Sequence, residues 1–129
     1  MAKASLLAFL LCDNATRDRD GKVTLQGVFD RIIAPRTPTE AKQFFVYYRV
    51  VVEEPCVIAL RVMDPKGHEV PGKWRDSIAE LGPVQTVWAL ASTLFTQRGS
   101  YALELRQEDD GVEPLPLAQM RLIIEETKD

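Results

Sequence analysis

The sequence predicts an all-β chain, an antiparallel β-sandwich of seven or eight strands. Short apolar stretches recur along it, each bounded by Gly, Pro, Asn or Asp turn signals. Several alternate apolar with polar residues, the period of a half-buried strand. Phe44 to Val52 (FFVYYRVVV) is aromatic or β-branched except at Arg49, the composition that suits a pleated surface. At 129 residues, 46% hydrophobic and 27% charged, the chain reads as a single domain, 1–129. That length buries roughly two-thirds of the unfolded surface without disulfide staples.

Ala4 to Cys12 (ASLLAFLLC) follows Lys3 with nine uncharged residues. It mimics a short signal sequence but lacks small residues at a cleavage position, and it is too short to cross a bilayer. A buried first strand of a cytoplasmic protein is expected. Asp13 to Asp20 (DNATRDRD) reads as a polar loop. Its approach to a calcium-loop pattern fails, because the outer ligand positions fall on Thr16 and Gly27. Asp20-Gly21 then turns the chain into Val23 and Leu25, which alternate with Lys22, Thr24 and Gln26. At Gly27 the phase breaks, and Val28, Phe29, Ile32 and Ile33 put apolar groups on both faces. A lone glycine in such a pattern marks a bulge or bend. Gly21 to Ala34 is therefore read as a long strand kinked between two sheet edges, not as a site at Asp30 or Arg31. Pro35 and Pro38 cannot donate to a ladder and mark a connection.

Glu53-Glu54-Pro55 turns the chain from Phe44–Val52 into Cys56 to Met63. As a hairpin, these strands would set Val50 against Ile58, Tyr48 against Leu60 and Val46 against Val62 on the core face. The other face then carries Phe45, Tyr47, Val51, Val57 and Met63, with Arg49 and Arg61. That is more apolar than exposure requires, which makes it the candidate interaction face for a homodimer or a protein partner. Two ordinary readings compete: another segment such as Lys73 to Leu81 covers it, or the arginines lie over the rings. Asp64-Pro65-Lys66-Gly67 is a β-turn. Glu69 to Ile78 reads as an irregular or edge strand, with Trp74 a candidate surface aromatic.

Gln85 to Phe95 fits a helical stripe better than a strand alternation, yet its sequel makes it extended. Gly99-Ser100-Tyr101 leads into alternating Tyr101, Leu103 and Leu105, an acidic turn at Asp109-Asp110-Gly111, and a last strand, Leu117 to Glu126. This resembles the closing hairpin of immunoglobulin-like sandwiches, in which the preceding strand is extended. Taken with Cys12-Asp13 and GKVTLQGVFDRI, the pattern resembles a small family of uncharacterised bacterial proteins, a domain of unknown function. The resemblance covers nearly the whole chain and implies an immunoglobulin-like β-sandwich. It brings no activity, substrate or site residue.

The chemistry is mostly one of exclusions. Net charge is −3 without a basic cluster, so no nucleic-acid footprint is present. Two cysteines, Cys12 and Cys56, lack metal-ligand spacing. Free buried thiols are expected, with a single Cys12–Cys56 bridge as the alternative. His68, the one histidine, follows a turn and builds neither a multi-histidine metal site nor a nucleophile motif. There is no G-x-S-x-G elbow, and Val70 to Trp74 (VPGKW) lacks the rest of a phosphate loop. No catalytic, cofactor-binding or metal-ligating residue is assigned, and no cofactor, nucleic-acid or membrane partner is expected. The expected role is a non-enzymatic interaction or scaffold module. The alternatives are a small-molecule-binding protein, with its ligand between the sheets or under the Pro35–Pro38 loop, and an enzyme using carboxylates alone.

Overall fold

Across the described residues, 2–70, 76–90 and 93–127, the computed structural model consists of strands and turns without a helix. In chain order the strands are β1 (Ala4–Arg17), β2 (Val23–Phe29), β3 (Arg31–Ala34), β4 (Thr39–Ala41), β5 (Phe44–Val52) and β6 (Cys56–Met63), then β7 (Asp76–Ala79), β8 (Gly82–Leu90), β9 (Thr93–Phe95), β10 (Gly99–Gln107) and β11 (Leu115–Glu126). Sheet A has the order β2-β1-β5-β8, sheet B the order β3-β11-β10-β6-β7, and β4 pairs with β9. The chain is an all-β sandwich. Gln85 to Phe95 is extended wherever it is described, as β8 and β9. Tertiary pairing with β5 overrides its helical periodicity. No helix is long and apolar enough to cross a membrane among the described residues.

The core lies between the sheets. Leu11, Val46, Tyr48, Val50 and Val52 meet Ile58, Leu60, Val62, Leu103, Leu105, Leu122 and Ile124, each at most 2% exposed. Burying one such aliphatic side chain is worth about 1.5–3 kcal/mol. In β1 the inward set changes parity at a bulge. Leu6 pairs with Val50 but Ala8 with Arg49, so the extra residue Leu7 turns outward and Phe9 and Leu11 resume the core face.

Two expectations are corrected. First, β5 and β6 are not a hairpin. β5 pairs with β1 and β8, whereas β6 pairs with β10 and β7 in the opposite sheet. The alternation correctly identified Val46, Tyr48, Val50, Cys56, Ile58, Leu60 and Val62 as inward. Those side chains meet across the sandwich rather than along a ladder, because the period of a strand defines its faces and not its partner. The Glu53-Glu54-Pro55 segment is a corner. The N–H groups of Glu53 and Glu54 donate to the Lys3 carbonyl at 2.7 and 3.3 Å, and Val57 N–H donates to Asp109 Oδ1 at 3.0 Å.

Second, Asp13 to Arg17 is strand, not loop. The hairpin loop is only Asp18–Lys22, where the Asp18 carboxylate accepts from the N–H groups of Asp20 and Lys22 at 2.9 and 3.0 Å. The expected passage between sheet edges holds: β2 is an edge of sheet A, β3 an edge of sheet B, and Asp30 divides them.

Candidate functional site

The proposed interaction face is dispersed. Phe45, Tyr47 and Val51 lie on the outer side of sheet A, while Val57 and Met63 lie on the outer side of sheet B. The two groups sit on opposite surfaces of the sandwich. Trp74 and Lys73 fall outside the described residues.

On sheet A the apolar row Val28–Cys12–Phe45–Ala89 crosses all four strands, with Leu10, Tyr47 and Val87 beside it. The tip of the β1–β2 ribbon folds back over this surface. Arg17 Nη2 donates to the Gln85 carbonyl at 3.0 Å, and Gln85 Nε2 donates to the Gly21 carbonyl at 3.2 Å. A straight ribbon would hold Arg17 about 30 Å from Gln85 along the strands, beyond the reach of an arginine. The bend falls at Gly27, whose φ is +69°. A Cβ there would collide with the Asp13 carboxylate. Beneath the ribbon, Tyr47 donates to Gln85 Oε1 at 2.6 Å, and Tyr47 and Cys12 are buried. Part of this surface is thus covered by the ribbon, while Val28 and Val51 stay exposed.

The outer side of sheet B carries ion pairs beside exposed Ile33 and Ile78. Arg61 pairs with Glu108 at 2.6 Å, Arg106 with Glu104 at 2.5 Å, and Arg31 with Glu125 at 2.7 Å. Such a face is satisfied by water and by its own ion pairs.

Besides a smaller hollow of about 340 Å³ at Val28 and Met120, the sandwich carries a cleft of about 440 Å³ at one end. One wall is β3 with Pro35; the other runs from Thr39 through β4 to Phe44. Its floor is apolar. Phe29 meets the buried Phe44 edge to face, their centroids 5.8 Å apart, and Ile32, Ala34 and Ala41 extend the surface. Asp13, Glu40 and Lys42 line the cleft and are exposed.

The adjoining proline turn is pinned to β11 through Glu126. Its Oε2 accepts from Thr37 N–H at 2.9 Å and from the Thr37 hydroxyl at 3.2 Å, and Arg98 pairs with Oε1 at 3.3 Å. The Thr37 N–H foremost, then its hydroxyl and the Arg98 charge, hold this carboxyl below the ordinary carboxylate range. The Thr37–Pro38 peptide is cis.

Sequence reasoning pointed to the Pro35–Pro38 loop but missed Phe29, Ile33 and Phe44 as cleft residues. Ile32-Ile33 was the available signal, since only one of two neighbours in a strand can face the core. Ile32 packs on the core and Ile33 is 61% exposed. Two carboxylates, Asp13 and Glu40, line the cleft, and His68 does not. Among the described residues no three His, Cys, Asp or Glu side chains are placed to hold a metal ion.

Among solved structures, the crystal structure of the C-terminal domain of wzt is similar, with a TM-score of 0.53 and 14% identity over 100% of this chain and 76% of that one. At that identity the likeness concerns the fold alone. No curated protein matches the sequence. The sequence profile of a family of unknown function, DUF6941, matches residues 7–118. The chain belongs to that family.

Proposed function

We propose that the chain is a non-catalytic protein-interaction module whose recognition end is the cleft between β3 and β4. One observation carries this reading. The chain lays its own ribbon over part of the outer side of sheet A and ion pairs across that of sheet B, while the cleft between β3 and β4 keeps half-buried Phe29 and Ile32 and exposed Ile33 beside charged Glu40 and Lys42. Apolar surface left open and rimmed by charge is the composition of a contact site. A second reading has its own support: about 440 Å³ lies within the roughly 300–1,000 Å³ of small-molecule sites.

The test places a photo-crosslinking amino acid at Lys42, on the cleft, or at Gln119, on the outer side of sheet B, in the native cell. A protein adduct of constant mass from Lys42 but not from Gln119 is expected. Native mass spectrometry of the purified chain separates the readings, because a small molecule retained at constant mass favours the second. Neither adduct nor retained ligand would refute both.

A further inference from the structure

We infer that the cleft takes its partner as an added β-strand, an extended peptide segment hydrogen-bonded to the open edge of β3; this rests on the interaction reading above. The main chain carries the argument. β3 runs parallel to β11, with Ile123 N–H donating to the Asp30 carbonyl at 2.9 Å and Thr127 N–H to the Ala34 carbonyl at 2.8 Å. In a parallel ladder every second residue bonds the neighbour. Asp30, Ile32 and Ala34 therefore serve β11, and the N–H and C=O groups of Arg31 and Ile33 point away from it. Both residues line the cleft, and β3 has no strand on that side among the described residues. Two donors and two acceptors, spaced as in a strand, are satisfied best by another strand's main chain.

β3 is short, carries charged Arg31 and ends before Pro35, so it shares some of the usual protection of an edge. Natural edges are blunted by charge, kinks or cover. β2 presents Thr24 and Gln26 outward and kinks at Gly27. β8 opens with Gly82-Pro83, and Arg17 caps the carbonyl of Gln85. β3 adds to these devices an exposed isoleucine, Ile33, beside a cleft, which the other two edges do not have. A strand added in its plane would turn alternate side chains toward Phe29, Phe44 and Ala41, and the others outward beside Ile33. The expected partner segment is extended and apolar at every second position.

The experiment selects short random peptides, displayed as a library, against the full chain. Selected peptides are synthesised and their affinity measured for the parent, for Ile33→Pro and for Ile33→Ala. Ile33→Pro deletes an outward N–H that β11 does not use, at an edge position where proline is tolerated. Peptides alternating apolar with polar residues are expected. They should weaken about tenfold on Ile33→Pro, the worth of one well-formed hydrogen bond, and much less on Ile33→Ala. Amide exchange on the parent gives a second readout that needs no variant to fold. Arg31 and Ile33 should exchange freely in the unbound chain while Ile32 is protected, and both should gain protection with peptide.

Failure to select any peptide, or amides of Arg31 and Ile33 already protected in the free chain, would overturn strand addition. Peptides that shift the Phe29 and Phe44 signals but ignore Ile33→Pro would also overturn it and leave the cleft reading standing. Peptides that bind without disturbing Phe29, Phe44 or β3 would remove both.

Discussion

Three tyrosines with three hydroxyl environments provide an internally controlled test of the packing. Tyr47, Tyr48 and Tyr101 are 7%, 0% and 2% exposed. Tyr47 donates to Gln85 Oε1 at 2.6 Å, and the Tyr101 oxygen accepts from Gln97 N–H at 3.2 Å. The Tyr48 hydroxyl is buried with no hydrogen-bond partner among the described residues. Phenylalanine at each position keeps the ring and removes one oxygen. For Tyr48→Phe the edge contact with Trp88, at a centroid distance of 5.0 Å, is retained. The desolvation cost of an orphaned buried group, about 1–3 kcal/mol, is then relieved. The void left is smaller than the methyl-sized cavity that costs about 1 kcal/mol. Tyr48→Phe should therefore stabilise by about 1–2 kcal/mol, raising Tm by about 3–8 °C for a domain of this size.

The other two substitutions should destabilise. Tyr101→Phe strands the N–H of half-buried Gln97, and Tyr47→Phe removes the bond that fixes Gln85; each should cost about 0.5–1.5 kcal/mol. Urea unfolding with a shared slope measures all three, since a midpoint change at constant slope is a stability change. A loss of stability in Tyr48→Phe comparable to the other two would refute the reasoning, by showing that the buried hydroxyl is bonded in solution.

The remaining expectations concern the titratable groups. Cys12 and Cys56 are buried free thiols, and burial pushes both thiol pKa values up. A thiol reagent should react slowly with the folded chain and count two groups after unfolding without reductant; a count of zero would mean a bridge. Asp64, Asp109 and Glu126 are held below the ordinary range, chiefly by the N–H groups of His68, Val57 and Thr37 respectively. A depressed folded pKa adds stability that is complete above the unfolded value and is lost as pH falls through the folded one. The urea midpoint should therefore hold steady from neutrality and fall below about pH 4, more shallowly in Asp109→Asn; a midpoint that rises on acidification contradicts the assignment.

Strand faces were legible in the sequence because burial is written into alternate residues. Val46 to Val52 and Cys56 to Val62 present their inward side chains as the period requires. Partner choice was not legible. Glu53-Glu54-Pro55 closes a hairpin or turns a corner with equal ease, and the bonds that decide it come from Lys3 and Asp109, distant in sequence. The ribbon was hidden for a related reason. Asn14, Thr16, Thr24 and Gln26 are polar because they are exposed, whereas Ala15, Val23 and Leu25 are half-buried. Only Gly27 hinted that the ribbon bends back over its own sheet.

The cleft follows from what alternation cannot supply. A strand passing between sheets, as Val23 to Ala34 does, leaves one sheet's ladder before it joins the other's, and for that distance it has an unpartnered side. At Arg31 and Ile33 the free side faces the Phe29–Phe44 floor rather than open water. An apolar pair of neighbours, Ile32 and Ile33, where only one can reach the core, is the trace such a crossing leaves in the sequence. The same pair measures the reading. Replacing exposed Ile33 by a charged residue should leave stability within about 0.5 kcal/mol, whereas the same change at Ile32, which packs on the core, should cost several times as much. Equal costs at the two positions would mean that Ile33 is covered by the chain itself, and the open edge would then be closed.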